Sequence, residues 1–152
     1  MNDPAEKEIG KIIDLEMSDT IGALSADLAT AQGRISNAAK NSTNPFFESK
    51  YASLAACLDA AKPHLADCRL SVVQMPFFEG GAVGVKTIIS HASGEWIAST
   101  LKLKPTKMDP QGVGSAITYA RRYAFAAMVG LAQADDDAES HRVTPQTPRK
   151  KR

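Results

Sequence analysis

The sequence is poor in aromatic residues, cysteine, long apolar runs and net charge. It has 152 residues, of which 6% are aromatic and two are cysteine, and its formal net charge is +1. Cys57 and Cys68 form no CxxC pair, which argues against a disulfide framework and against a zinc site. No stretch reaches the roughly 18 consecutive apolar residues of a transmembrane helix. These absences exclude a small disulfide-rich protein and a helical membrane protein.

The start of the chain also lacks the basic and apolar segments of a secretory signal peptide. Asp3, Glu6 and Glu8 stand where a signal peptide carries basic residues. We therefore expect a soluble protein of the cytoplasm. The sequence has no phosphate-cradling GxxxxGK motif and no Ser/His/Asp or Cys/His pattern. We accordingly expect no ATP use, no cofactor and no catalytic site.

The small net charge hides an uneven distribution along the chain. Residues 1–43 sum to −3, residues 44–134 to +3 and residues 135–152 to +1. All nine aromatic residues lie between Phe46 and Phe125, so the core is expected within 44–134. The positive charge of that segment favours a polyanionic partner, although an ordinary solvated surface explains it equally well.

The length allows one domain with tails. We predict an arm or short helix over 1–19, a core domain over 20–134, and an acidic then basic disordered tail over 135–152. A helix is predicted from Asp19 or Thr20 to about Lys40. Its apolar residues, at spacings of three and four, form one seam: Ile21, Leu24, Leu28, Ala31 and Ile35. Such a seam packs on its own domain or forms a subunit contact.

The middle of the chain changes from helical to strand periodicity. Ser49 or Ser53 is predicted to cap a further helix, which Pro63 bends or closes. Strands are then predicted over 70–78, 83–91 and 95–103, with turns at Gly80-Gly81 and Ser93-Gly94. This pattern predicts a three-stranded antiparallel meander and an α+β fold.

A long helix is predicted from Pro110 to Val129, with Asp109 as N-cap and Gly130 after its end. Helical spacing places an apolar face on the sheet, formed by Val113, Ile117, Ala120, Ala124 and Met128. Phe125 and Val129 lie away from that face and require a second covering surface. A neighbouring subunit, or the predicted helix that ends near Lys40 in the same chain, would supply this covering surface.

The side of this helix away from the predicted sheet is rich in phosphate-binding groups. It carries Ser115, Thr118, Tyr119 and Arg122, with Arg121 at its flank. Gly112 and Gly114 leave the first turn without side chains, so an anion is able to approach the first-turn amides. Paired guanidinium groups bind phosphate oxygens. A solvated arginine pair, with glycines that serve helix packing, is the alternative interpretation.

Other cationic and aromatic residues are weaker candidates. Lys102 and Lys104 alternate at the end of the third strand, so we expect them on one sheet face, lining the same groove or guarding a solvated edge. Trp96 is a candidate for base stacking or for the core. Alternation sends Phe77 and Phe78 to opposite faces, so at most one of them is expected in the core.

The carboxylates of Asp135, Asp136 and Asp137 suggest a metal-dependent nuclease, because hard cations bind carboxylate oxygens. Three consecutive side chains do not converge on one ion in an ordinary loop, and no second acidic cluster accompanies them. A solvated acidic run is the simpler interpretation, and we predict no metal site.

Three segments resemble a known family: NPFFESKYA at 44–52, SGEW at 93–96 and, above all, PQGVGSAITYARRY at 110–123. Together with Gly130-Leu131 and the acidic run at 135–137, they resemble the Erf (essential recombination function) family of phage single-strand annealing proteins over about residues 21–138. The resemblance implies an ATP-independent protein of the bacterial host cell that coats single-stranded DNA and anneals complementary strands in homologous recombination. It also implies assembly into homo-oligomeric rings or filaments. The implied fold is a β-β-β-α core similar to that of the eukaryotic strand-annealing mediators.

The resemblance makes Arg121 and Arg122 the expected contacts to the DNA backbone, with Lys50 and Tyr51 as a second group. A host single-strand-binding protein or a phage exonuclease is a further expected partner. Two alternatives from other classes stay open at this point. One is an oligomeric protein-interaction module without a nucleic-acid role, based on the apolar seam and on Phe125 with Val129. The other is the metal-dependent nuclease.

Overall fold

The computed structural model describes residues 15–40, 42–43 and 50–132. The predicted short helix within 1–14, the segment 44–49, the acidic run at 135–137 and the basic tail lie outside these residues. The described elements are, in chain order, β1 (Leu15–Met17), α1 (Gly22–Gln32), β2 (Ser42–Thr43), β3 (Lys50–Tyr51), α2 (Leu54–Asp67), β4 (Leu70–Glu79), β5 (Ala82–His91), β6 (Trp96–Leu103) and α3 (Pro110–Val129). The predicted α+β class is confirmed.

The main sheet has four antiparallel strands in the order β1-β6-β5-β4. Gly80 and Gly81 have φ of 58° and 74°, so they form the two-residue turn that suits a right-twisted hairpin, and Glu79 pairs with Ala82 across it. Strand β1 pairs with β6 over three residues and was not predicted, because three residues carry too little periodicity. The sheet therefore ends at β1 on one side and at β4 on the other.

The two faces of the sheet differ in burial. In β5, Val83, Val85, Thr87 and Ile89 are buried on the face that carries the helices. By alternation, Phe77 points to the opposite face, where its ring covers Gly84 and leaves no space for a Cβ atom there. Neither Phe77 nor Phe78 belongs to the core, since they are 37% and 54% exposed. This agrees with the expectation that at most one of them is in the core.

Helix α1 is shorter than predicted, because it ends at Gln32 and Gly33 follows rather than continuing to Lys40. Its N-terminus has no side-chain cap of its own. Glu95, in the turn between β5 and β6, instead accepts hydrogen bonds from the backbone N–H of Leu24 at 2.7 Å and from the hydroxyl of Thr20 at 3.0 Å. These bonds, the one from Leu24 above all, hold the pKa of Glu95 below its usual value.

A second polar cluster also ties α1 to the sheet. The Nε2 of His91 lies 2.8 Å from Asp27 Oδ2, and the Nδ1 of His91 lies 2.8 Å from the hydroxyl of Ser93. The guanidinium of Arg69 donates to the same oxygen of Asp27 at 2.8 Å. The hydrogen bond to His91, and then the one from Arg69, lower the pKa of Asp27.

Of the two predicted caps of α2, Ser53 is confirmed, since its side chain accepts a hydrogen bond from the backbone N–H of Ala56 at 3.1 Å. Ser49 lies outside the described residues. Pro63 lies within the helix, which continues to Asp67, so it does not close it. Tyr51 lies before this helix, in β3.

The core extends further toward the N-terminus than the aromatic residues suggested. Leu24 and Ala31 of α1 are buried in one cluster with Leu65 of α2 and Phe125 and Val129 of α3. The second side of α3 and part of the α1 seam are therefore covered within the chain. The two surfaces that motivated an interaction module are in this way largely internal.

Helix α3 spans the predicted residues but buries a different set of side chains. Its buried residues are Ala116, Ala120, Arg122, Phe125 and Val129. Of the predicted apolar face only Ala120 is buried, and Val113, Ile117, Ala124 and Met128 are half-buried. The reason is that α3 lies against both the sheet and α2, so its burial does not follow a single stripe.

Candidate nucleic-acid interface

Arg122 is the centre of the candidate site, and it is buried rather than exposed. The residue is 7% exposed and its guanidinium donates a 3.2 Å hydrogen bond to the backbone carbonyl of Ala52. The guanidinium carbon lies 4.7 Å from the ring centre of Tyr51, 5.3 Å from that of Tyr119 and 4.8 Å from that of Tyr123. Arg122 was expected to contact the DNA backbone, whereas its guanidinium is shielded by residues of the chain itself.

Three aromatic rings explain why a buried arginine is tolerated here. None of the ion pairs among the described residues includes Arg122. The rings present their electron-rich faces to the planar cation, an attraction of about 2 kcal/mol when the pair is desolvated. Burial raises the pKa of the neighbouring Cys57 thiol, and the charge of Arg122 only partly opposes that shift. The cation thus holds three tyrosines in place.

Two of these tyrosines form an exposed aromatic pair. The rings of Tyr119 and Tyr123 are stacked, with centroids 6.2 Å apart and an interplanar angle of 18°. Tyr119 is 40% and Tyr123 is 53% exposed, although each also contacts Arg122. This stacked pair was not predicted from the sequence. The available signal was the spacing of four residues, which places two rings on one helix face with an arginine between them.

Three further polar candidates are exposed on α3 and on β3, the strand whose Tyr51 also contacts Arg122. Lys50 is exposed on β3, directly before Tyr51. Ser115 and Thr118 are exposed on α3, and the Thr118 hydroxyl donates to the carbonyl of Gly114 at 3.1 Å. We call the set the tyrosine surface, defined by Lys50, Tyr51, Ser115, Thr118, Tyr119 and Tyr123.

The N-terminus of α3 is less open than its glycines suggested. A Cβ atom at Gly112 would overlap the backbone of Lys107, so this glycine permits a close approach within the chain. The carboxylate of Asp109 accepts a 2.7 Å hydrogen bond from the N–H of Gly112. The first turn therefore already has an anionic cap. Only Gly114 faces open space.

Arg121 does not lie beside Arg122, because neighbouring residues on a helix are rotated by about 100°. The Nε of Arg121 donates to the side-chain oxygen of Gln74 at 3.4 Å, and the Gln74 amide donates to the Arg121 carbonyl at 2.9 Å. Arg121 lines a groove between α2 and β4 together with Lys62. The structure thus separates the two arginines that the sequence placed together.

Lys102 and Lys104 are also separate from the tyrosine surface. Lys102 pairs with Gly84 across the sheet, on the face opposite α3, where it forms a 3.2 Å ion pair with Glu79. Its ammonium lies 5.8 Å from the Phe77 ring centre. Lys104 is exposed just beyond the end of β6. Lys102 therefore does not line a common groove with the arginines, because it lies on the opposite face of the sheet.

Trp96 is half-buried at the start of β6, so it is neither a core residue nor a freely exposed ring. Within 15–40, 42–43 and 50–132, no group of three or more His, Cys, Asp or Glu side chains is placed to bind a metal ion. The Asp135 to Asp137 run of the nuclease alternative lies outside these residues. In the same described part of the chain, no helix is long and apolar enough to span a membrane.

Comparison with known proteins places the chain in a family. The family model of the ERF superfamily matches residues 24–152, and the chain therefore belongs to that superfamily. The match covers α1 from Leu24 onward, every later element and all of the tyrosine surface. No curated protein and no solved structure matches the chain. Membership in this superfamily supports a role of the recombination and annealing type.

Proposed function

We propose that this protein binds single-stranded DNA and anneals complementary strands without ATP, as a homo-oligomeric ring or filament in the cytoplasm of a bacterial host. Superfamily membership supports the general role. The observation that carries the DNA-binding part is the exposed, stacked pair of Tyr119 and Tyr123 on α3. In this proposal the protein is a DNA-binding recombination protein rather than an enzyme. A host single-strand-binding protein or a phage exonuclease would act beside it.

Each part of the tyrosine surface has a role in the proposal. The Tyr119 and Tyr123 rings stack on bases, a contact that tolerates any sequence. Lys50 neutralises a phosphate, and the Ser115 hydroxyl donates a hydrogen bond to a phosphate oxygen. The Thr118 hydroxyl would donate in the same way after turning from the Gly114 carbonyl. Arg122 is a positioning residue, because its guanidinium holds the rings but is itself shielded from a ligand. Annealing needs free Watson–Crick edges, which stacking and phosphate contacts both leave accessible.

Two complementary dye-labelled oligonucleotides provide the direct test of annealing. The purified full chain is expected to accelerate their pairing with a chelator present and with no nucleotide. A heat-denatured sample controls for simple crowding of the strands. If folded protein leaves the annealing rate unchanged, the proposed function is wrong.

The salt dependence of binding tests the phosphate contact. On single strands, log K falls with log salt by about 0.7 for each neutralised phosphate. Lys50→Ala is therefore expected to reduce the slope by about 0.7. Lys102→Ala is the matched control, since Lys102 is ion-paired on the opposite face, and its slope should not change. Equal slopes for wild type and Lys50→Ala would remove Lys50 from the site.

A further inference from the structure

The groove between α2 and β4 is a feature of the described surface that the DNA-binding proposal leaves unused. Its volume is about 360 Å³. Leu58 and Leu65 of α2, Val72 of β4 and Phe125 of α3 supply apolar walls. Lys62 and Arg121 supply two cations, and no carboxylate is among the described residues that line the groove. Neither cation takes part in an ion pair among the described residues. Such a lining fits a ligand that is both apolar and acidic.

One wall of this groove is the free edge of the sheet. The two-residue hairpin makes Glu79 and Ala82 a hydrogen-bonded pair. At the other end of the hairpin the Ala92 N–H donates to the Arg69 carbonyl at 3.1 Å, and positions 69 and 79 differ by an even number, so both bonds belong to the same alternating set. The alternate residues Leu70, Val72 and Gln74 therefore direct their backbone N–H and C=O groups away from β5. The sheet order ends at β4, so these groups face the groove side.

Pro76 limits the length of edge that accepts another strand. Pro76 is two positions after Gln74, so its backbone also faces away from β5. Because proline has no N–H, the outer edge lacks a donor at this position while the β4–β5 hydrogen bonds are unaffected. A proline is a common device against strand addition on an edge. It interrupts the row of edge donors between Gln74 and Phe78, so the uninterrupted row runs from Leu70 to Gln74, and this part of β4 lines the groove.

We propose that this groove binds residues 1–14 of a second copy of the chain, which adds along the edge of β4. The segment contains four carboxylates and two lysines, with a net charge of −2 opposite the two groove cations. It also carries three isoleucines, Ile9, Ile12 and Ile13, for the apolar walls. Residues 133–152 begin with acidic residues but offer only two alanines and Val143 as apolar groups, so they fit the groove less well.

The position of β1 explains why the occupant comes from a second copy. Residues 1–14 lead into β1, at the sheet edge opposite β4. The two edge strands are three strand spacings apart, about 14 Å, and the helical face between them is covered by α2 and α3. A neighbour aligned edge to edge needs no such crossing. Fourteen residues extend up to about 46–50 Å, which reaches β4 of either copy, so the mixed-label cross-links described below decide between them.

This arrangement also gives a partner to exposed apolar groups at the other edge. Leu15 is 50% and Met17 is 46% exposed on β1, where residues 1–14 join the sheet. A neighbouring copy seated there covers them. Each copy donates residues 1–14 from its β1 edge and binds the same segment of another copy at its β4 edge. The contact is therefore heterologous, and repetition of it closes into a ring or extends into a filament. The inference specifies the assembly step of the proposed function.

A photo-crosslinker tests the contact in the full chain. Ser71 is exposed and lines the groove, so a benzophenone amino acid is placed at that position. Isotope-labelled and unlabelled copies are mixed, irradiated, digested and analysed by mass spectrometry. The expected cross-links join position 71 to residues 1–14 and include pairs of mixed label. Cross-links with one label only, cross-links to residues 133–152, or none at all would overturn the proposal.

Charge reversal provides a second, independent measurement. The double variant Lys62→Glu with Arg121→Glu is expected to lower the mass measured by light scattering toward that of one chain, while circular dichroism shows a folded protein. Lys102→Glu with Lys104→Glu is the matched control and should keep the wild-type mass. A wild type that is monomeric, or a folded Lys62/Arg121 variant that keeps the wild-type mass, would contradict the proposal. No DNA is present in either experiment, so a failure of the proposed contact between copies is distinguishable from a failure of the annealing function.

Discussion

The carboxylate of Glu95 accepts a 2.7 Å hydrogen bond from the backbone N–H of Leu24, although 71 positions separate the two residues. Helix α1 has no side-chain cap from its own sequence, so a turn of the sheet caps it. The bond also lowers the pKa of Glu95. Docking of α1 on the sheet is therefore coupled to the ionisation of this carboxylate.

We predict a loss of stability in acid that depends on Glu95. A carboxyl group whose pKa is lowered in the folded state stabilises the fold above its unfolded pKa of about 4.3, and this contribution is lost as the pH falls through the folded value. Asp27, whose pKa is also lowered, acts in the same direction. The urea midpoint of the wild type should fall between about pH 6 and pH 3.

In Glu95→Gln the midpoint should be lower at about pH 6 and should fall less on acidification, because the ionisable cap is absent. Glu79→Gln, in an exposed ion pair with Lys102, is the control and should behave like the wild type. Equal acid sensitivity of Glu95→Gln and wild type would show that this carboxylate is not coupled to folding.

Arg122→Ala should be strongly destabilising. The substitution removes the hydrogen bond to Ala52 and three ring contacts and leaves a cavity under the tyrosines. We expect a loss of about 2–4 kcal/mol in the free energy of unfolding, measured by urea denaturation. Arg122→Lys should recover only part of it, since an ammonium lacks the planar face. Arg121→Ala should cost less than about 1 kcal/mol, and a loss equal to that of Arg122→Ala would contradict the assignment.

Two glycines in the first turn of α3 should respond in opposite directions to alanine. At Gly114 nothing lies within 4 Å of an added Cβ, so Gly114→Ala should stabilise the helix by about 0.5–1 kcal/mol. At Gly112 the added Cβ would overlap the backbone of Lys107, so Gly112→Ala should destabilise the protein by about 1–3 kcal/mol. Thermal melts of the two variants make the comparison, and a stabilising Gly112→Ala would refute the close approach.

The exposed tyrosines should contribute to DNA affinity without contributing to its salt dependence. Tyr119→Ala or Tyr123→Ala removes a stacking surface worth about 1–3 kcal/mol per base. Binding of a single-stranded oligonucleotide, followed by fluorescence anisotropy, should weaken accordingly at every salt concentration. Tyr123→Phe keeps the ring and should bind like the wild type. A change in the salt slope, or no change in affinity for either alanine variant, would argue against stacking.

Local signals in the sequence were sufficient for the last helix and for the order of the long strands. Asp109, Pro110 and Gly130 punctuate α3, and paired glycines mark the β4–β5 turn, because caps and turns depend on a few neighbouring residues. The match to the ERF superfamily confirms the family that the motif at 110–123 suggested. The DNA contacts and the oligomer stay proposals.

Side-chain directions on α3 were less accessible to sequence reasoning. A helical wheel assigns one apolar stripe, whereas α3 contacts both the sheet and α2. Arg122 consequently lies inside a cage of tyrosines, one of which comes from β3. Its neighbour Arg121 lies in the groove beside Lys62. No spacing within one helix predicts a partner that arrives from another element.

By itself, the sequence determined the α+β class, the bounds of α3 and membership in the recombination superfamily, since each depends on short-range patterns or on a motif. Only the tertiary structure decided that Glu95 caps α1, that Arg122 is shielded while Tyr119 and Tyr123 are exposed, and that the groove cations adjoin a free strand edge. These relationships join residues far apart in the chain. They arise from how helices pack on the sheet, and packing is set by all of the contacting surfaces together.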